Sequence, residues 1–253
     1  MLVEELEEGI EGLDYLLSHF KEPIWPRTIS TKTTDKRQIL VYSKEGALAR
    51  FKQANWLDCR ISGYPSYTEY KGINRQAPNF IFIDLDKATF NTEKAHNNAL
   101  ATTLENIKQK LDGSSTTVLW SGNGYHIYQP VDAFVFEQQE VFAKFQHMKP
   151  SRKFMQFAES FLSANKADHA HNMTVSFKNC MLRVPGSINS KNGQTVKLLS
   201  RWDGYRPKIN PLLEDFYIYM SSLRIKELTN QTSSTMKNES YYQTISKYMR
   251  LRR

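Results

Sequence analysis

Cysteine is scarce in this chain. Two residues, Cys59 and Cys180, occur in 253. They cannot build a disulfide framework or a four-cysteine zinc site, and both read as reduced. Long apolar runs are missing too; none approaches the roughly 20 residues that a membrane helix needs. The opening "MLVEELEEGIEGLDYLL" lacks the basic start of a signal peptide: its first 14 residues hold six acids and no Lys or Arg. These absences predict a cytoplasmic protein without a membrane partner. Beyond residue 14 acid becomes the scarcer sign. There, 34 bases face 20 acids, a balance of +14 against +8 for the whole chain. Such an excess favours a polyanionic partner through phosphate neutralisation and counterion release.

What is present supports one large domain, or one with a small appendage. The chain is 40% hydrophobic and 12% aromatic, enough for a substantial core. Residues 3–20 carry Leu6, Ile10, Leu13, Leu17 and Phe20 at helical spacing. Residues 22–36, with Pro23 and Pro26, read as loop. Strands are expected in "RQILVYS", at about 79–85, on both sides of the tight turn in "TTVLWSGNGYHIYQPV", and in "NCMLRVPGSI" and "QTVKLLSRW", and helices in "EGALARFKQANW" and "EKAHNNALATTLENIKQKL", the latter closed at Gly113. A further helix, "SRKFMQFAESFLSANK", is expected to start at a Ser151 N-cap. After Pro211 a helix runs to about Glu227, followed by the polar "TNQTSST" and the basic "SYYQTISKYMRLRR". No internal repeat is visible. The core is mixed α/β, divided into an acidic N-terminal helix and loop (1–36), a central domain (37–213) and a C-terminal helical appendage with a polar linker (214–253).

Four stretches carry candidate chemistry. In "NFIFIDLDKATF" a buried strand runs into Asp84 and Asp86, which share one face because strand side chains alternate. Two carboxylates so close repel each other, and burial raises the cost. A divalent cation on oxygen ligands would remove that cost, whereas a strand end emerging into solvent would merely hydrate it. In "SGNGYHIY", Ser121, Gly122, Asn123 and Gly124 form a turn whose glycines let backbone N–H groups converge on an anion, with His126 beside it. An ordinary hairpin is the alternative. In "LRVPGSINSKNG", Arg183 brings a planar fork suited to phosphate oxygens and Lys191 a point charge, with Ser187 and Asn189 between them. The plain alternative is a Pro-Gly turn with solvated bases. In "ADHAHNMTV", Asp168, His169 and His171 lie close together. Their spacing, even with Cys180, fits no common zinc site. Asp168 is better motivated as a third carboxylate near Asp84 and Asp86, since two metals need about three acidic ligands from different strands.

The order "DCRISGYP", "FIFIDLD", "SGNGYHIY", "LRVPGSINSK" resembles the archaeo-eukaryotic primase superfamily, in particular the small primase-polymerases of archaeal plasmids and viruses. The resemblance spans roughly residues 45–200. It implies an RRM-like antiparallel sheet with flanking helices, joined to an N-terminal α/β unit with a catalytic cleft between them. It further implies a template-dependent nucleotidyltransferase of DNA replication, a primase and/or polymerase using two Mg²⁺ or Mn²⁺ ions. Asp84 and Asp86 would then be catalytic metal ligands. Ser121, Gly122, Asn123, Gly124 and His126 would hold the nucleotide triphosphate, and Arg183, Ser187 and Lys191 would complete its binding. One departure is that relatives often place a third acid shortly before the R-x-P-G segment, whereas here the nearest is Asp168. A zinc-binding stem, found in some plasmid relatives, is not expected with two cysteines. The implied partners are single-stranded DNA template, NTP or dNTP, and a helicase domain or protein beyond Arg253. Rival readings are a catalytically inactive nucleic-acid-binding module on the same fold and a nucleotide-sugar transferase, which also uses D-x-D.

Overall fold

The computed structural model describes residues 3–35, 37–66, 76–111 and 115–229, with side chains from residue 7 onward. Gly113, most of "TNQTSST" and the basic C-terminal end lie outside the described residues. The chain divides into two compact units, Met1–Leu212 and Leu213–Arg253. The second unit begins with the helix expected after Pro211, which covers 213–229.

The first unit is built on two antiparallel four-stranded sheets. One has the order β2-β1-β3-β7, from β1 (Arg27–Ser30), β2 (Ile39–Val41), β3 (Arg60–Ser62) and β7 (Met181–Arg183). The other has the order β4-β6-β5-β8, from β4 (Phe80–Asp86), β5 (Thr117–Trp120), β6 (Gly124–Pro130) and β8 (Lys197–Ser200). Helices α1 (Val3–Leu17), α2 (Lys44–Gln53), α3 (Glu93–Lys110), α4 (Pro150–Leu162) and the short α5 (His169–Thr174) complete it. This is the mixed helix and antiparallel-sheet architecture expected from the sequence.

One core joins the two sheets. Ile29, Ile61 and Leu182 come from the first sheet, Phe80, Phe82, Leu119 and Tyr128 from the second, and Leu13 and Leu16 from α1. The segment 1–36 therefore lies within the first unit, and part of the expected loop 22–36 is the strand β1. Strand β4 is buried on both faces because α3 covers one of them. The α3 residues His96, Ala99, Thr103 and Ile107 are buried, and the His96 ring Nε2 meets the Leu85 carbonyl at 2.9 Å. That double burial explains the unbroken apolar run from Phe80 to Ile83.

Two helix boundaries differ from expectation. Helix α4 starts at Pro150, after Lys149 in a left-handed conformation (φ 55°). Proline is preorganised for the first helical position. Ser151 thus falls inside the helix, where its hydroxyl bonds the Glu137 carboxylate and the Phe136 N–H. Residues 169–174, read only as a cluster of polar ligands, form α5 because Asp168 caps it: the carboxylate accepts the His171 N–H at 2.9 Å.

Candidate active site

On β4 the face that carries Phe80 and Phe82 into the core carries Asp84 and Asp86 next. Register places Asp84 opposite His126 and Asp86 opposite Gly124 on β6. The two carboxylates then part company. Asp84 is largely enclosed, and burial, the largest cause, lifts its carboxyl to about 7. His171 pulls the other way, while Glu159, Asp86 and Asp168 add to the rise. Asp86 sits at the rim. Its Oδ1 accepts the Ala88 N–H at 2.9 Å and the Asn123 side-chain amide at 3.0 Å.

His126 faces Asp84, with Nε2 3.6 Å from Oδ1. Its other nitrogen, Nδ1, lies 3.1 Å from the Tyr128 hydroxyl. That hydroxyl already accepts the Arg183 backbone N–H at 3.0 Å, so its own proton is available for Nδ1. We therefore assign the imidazole proton to Nε2, toward Asp84. Burial, joined by the charges of Arg183, His171 and Arg60, holds His126 well below its ordinary pKa and neutral.

Behind Asp84 stands a group that the sequence did not single out. Glu159 of α4 is fully buried. One carboxylate oxygen accepts the Asp84 N–H at 3.2 Å and the His171 Nδ1–H at 2.7 Å; the other accepts the Asn172 amide at 3.0 Å. Burial pulls His171 down, but the hydrogen bond and charge of Glu159, with Asp84 and Asp168, outweigh it and raise the pKa. These surroundings favour the imidazolium form of His171, and its Nε2 is buried with no hydrogen-bond partner among the described residues. The signal for Glu159 was an acid in the apolar stripe of α4, between Met155, Ala158 and Leu162. Asp168 reaches Asp84 through the backbone: its N–H donates to the Asp84 carbonyl at 2.7 Å.

The first sheet brings cations near the same residues. Arg183 on β7 is registered opposite Arg60 on β3. Asp84 and Tyr128 act on Arg60 electrostatically, as Arg183 acts on His126. Arg183 is 6% exposed and has a counterion, Asp58, whose Oδ1 lies 3.3 Å from Nη1. Burial opposes ionisation of Asp58, but the hydroxyl and N–H of Ser190, together with Arg183, hold it below the usual carboxylate range. Arg60 and Asp58 lay inside the quoted "DCRISGYP", yet sequence reading assigned neither a role.

The glycine turn links the two sides. Ser121 is buried and bonds the Gly124 carbonyl through both its N–H and its hydroxyl. Gly124 is required because a Cβ there would stand 2.4 Å from the Leu85 carbonyl oxygen. Asn189 donates to the Ser121 carbonyl at 3.0 Å, which clamps the turn to the segment after Pro185. The N–H groups of Gly122 and Asn123 make no hydrogen bond among the described residues. Ser187 is fully buried and donates to the Val184 carbonyl, whereas Lys191 is exposed. The arrangement thus gathers Asp84, Asp86, Asp168, His126, the 121–124 turn and Arg183, with Ser187 beneath it as support.

The donor set suits a hard divalent cation only in part by itself. Two same-face carboxylates, one lifted by burial and neighbouring acids, would be relieved by such an ion. Among the described residues no group of three or more His, Cys, Asp or Glu forms a metal cage. Two carboxylates fit an ion that shares its coordination with substrate phosphates and water. His171 and Cys180 lead elsewhere, the first bonded to Glu159 and the second buried as a free thiol.

No protein-family model and no curated protein matches the chain. Solved structures do. The catalytic domain of primase Repb′, in complex with initiator DNA, is 15% identical with a TM-score of 0.49, over 88% of this chain and 98% of that one. The AEP domain of cyanophage S-2L primase-polymerase is 14% identical with a TM-score of 0.48, over 80% and 96%. A second primase RepB′ structure is 15% identical with a TM-score of 0.46, over 92% and 68%. These three structures are primase and primase-polymerase proteins. At such identities and TM-scores its chemistry has to be read from its own residues. No helix among the described residues is long and apolar enough to cross a membrane.

Proposed function

We propose that the chain is a template-dependent nucleotidyltransferase, a DNA primase and/or DNA polymerase that extends a strand by phosphoryl transfer. The observation that carries this reading is the proximity of opposite charges at one place, Asp84 acting on Arg60, and Arg183 on the His126 that stands opposite Asp84, beside a glycine turn with two uncommitted N–H groups. Anionic substrate bridged to carboxylates through a divalent ion is the chemistry that needs both signs of charge in one place. Asp84 and Asp86 would hold Mg²⁺ or Mn²⁺, with Asp168 as the third acid of the site. When bound, such ions neutralise phosphate charge and lower the pKa of the attacking 3′-hydroxyl.

The protein's own groups do the remaining work. Arg183 and Arg60 bind phosphate oxygens of an incoming NTP or dNTP, and Lys191 adds a mobile charge at the rim. The Gly122 and Asn123 N–H groups point-bind a further oxygen. Neutral His126 donates Nε2–H to the transferring group, held in that tautomer by Tyr128. Ser121 and Ser187 act through the shape they give the turn and the following segment. Glu159 fixes the Asp84 backbone, and His171 offsets part of the local negative charge. Single-stranded DNA is the template partner that the +14 balance favours.

The test is incorporation of labelled nucleotide on a single-stranded template, with and without primer, in Mg²⁺, Mn²⁺ or EDTA. Metal-dependent extension is expected. Template binding without synthesis in either metal would replace this reading by that of an inactive binding module.

A further inference from the structure

A second basic site lies away from the cleft. A cavity of about 640 Å³ opens between Lys21, Lys110, Asp132, Tyr205, Arg206 and Lys208. Four of these are cations and one is an acid. Asp132 is matched to Lys21 at 2.7 Å, which leaves three positive charges around the opening. Asp132 follows the end of β6 opposite to Gly124, and seven strand residues at about 3.3 Å each put about 20 Å between the two ends. The cavity is therefore separate from the Asp84 site.

The segment that lines it is held in shape. The Trp202 indole N–H donates to the Tyr205 carbonyl at 2.6 Å, and the Tyr205 N–H donates to the Asp203 carboxylate at 2.9 Å. Arg206 lies over the Trp202 ring, 5.2 Å from its centre, and donates to the His19 carbonyl at 2.7 Å. The Asp132 N–H donates to the Pro207 carbonyl at 2.8 Å. These bonds present the Tyr205 ring, 50% exposed, beside the cations. An exposed aromatic face next to fixed positive charges is what single-stranded nucleic acid binds: a base stacks on the ring and the phosphates meet the cations.

We propose that this cavity is a second contact for single-stranded nucleic acid, with a base on Tyr205 and phosphates on Lys110, Arg206 and Lys208. It rests on the nucleotidyltransferase reading and extends it. A strand long enough to reach from the cleft engages both sites, whereas a few nucleotides engage one.

Fluorescence anisotropy with single-stranded oligonucleotides of about 16 and about 4 nucleotides tests this, using wild type, Tyr205→Ala and the double variant Lys110→Gln/Lys208→Gln. All three side chains are at the surface, so the melting temperature should stay that of wild type and serves as the folding control. Tyr205→Ala should weaken binding of the long strand about fivefold or more. The double variant should reduce the slope of log affinity against log salt by roughly 0.7 per lysine. Nucleotide affinity at the cleft should not change. Variants that bind the long strand with wild-type affinity and salt slope overturn the second contact and leave the proposed function standing. A wild-type protein that binds neither oligonucleotide overturns both.

Discussion

The two sheets hold their charged residues differently. On the second sheet, Asp84 is over-determined. Its N–H is held by Glu159, its carbonyl by the Asp168 N–H and its side chain by β4–β6 register opposite His126. On the first sheet, the Arg183 guanidinium depends on Asp58, which also anchors Ser190 and so the following loop. The Asp84 side is fixed by backbone bonds and register, whereas the Arg183 side is tied through one counterion. On the proposed function, that counterion is what an incoming phosphate would replace.

The largest effect expected is on the Asp84 side. Asp84→Ala and Asp86→Ala should each abolish nucleotide incorporation, a loss beyond about a thousandfold, as for removal of a central electrostatic group. Asp84→Ala should not destabilise the metal-free protein, because it removes a buried carboxylate beside like charges; Asp86→Ala should cost about 1 kcal/mol, the worth of the cap it gives to Ala88. Near wild-type incorporation by either variant would sink the assignment.

The support behind that side comes next. Glu159→Ala leaves His171 without its counterion and should cost about 3–5 kcal/mol in chemical denaturation. Asp84 and His171 also give stability a sign with pH. Both have folded pKa values above their unfolded ones. Asp84 therefore contributes stability that is complete below 3.8 and is lost as pH rises to about 7. The His171 contribution is complete below 6.5 and is lost as pH rises through its higher folded value. His126 and His19, whose folded pKa values lie below their unfolded ones, work the other way over the same range, so the Asp84 share is read as a difference between variants. The stability of wild type relative to Asp84→Asn should fall from pH 4 to pH 7 without metal, and a pH-independent difference would contradict the burial argument.

A smaller effect belongs to the Arg183 side. Arg183→Ala should weaken nucleotide binding by about 1.5–3 kcal/mol, the worth of a charge-assisted hydrogen bond, and template binding by less. Titration of nucleotide and template separately decides this; equal losses would make Arg183 structural. The smallest effect should come from Tyr128→Phe, which removes the hydroxyl joining the two sides. A loss of about 1 kcal/mol in stability is expected, with a His126 tautomer shift visible by ¹⁵N NMR. An unchanged imidazole spectrum would refute the tautomer assignment.

Local signals made much of this legible. Two carboxylates at spacing two in a strand must share a face, because the alternation is a property of the backbone. The glycines of 121–124 marked a reversal that only small residues permit, and Gly124 does pack against the Leu85 carbonyl. The strand nuclei and the long α3 followed from apolar periodicity. Expectation failed where tertiary contacts overrode local preference. Residues 27–30 look like loop, just after two prolines and among threonines, yet pair with β2 and β3. Ser151 looks like a cap, yet Pro150 already starts the helix and Glu137 claims its hydroxyl. Ser187, proposed from sequence at the nucleotide, is turned into the core.

The sequence by itself determined that Asp84 and Asp86 point together, that a glycine turn and a basic strand end exist, and that the chain carries an excess of positive charge beyond residue 14. Each depends on neighbours in the chain. Only the tertiary structure decided that Glu159 and His171 stand behind Asp84, that Arg60 pairs with Arg183 across two strands, and that Tyr205 and its cations surround a cavity at the far end of β6. Most of those partners are tens to more than a hundred residues apart in the chain, and their interactions depend on distance and burial in three dimensions, which sequence spacing does not encode.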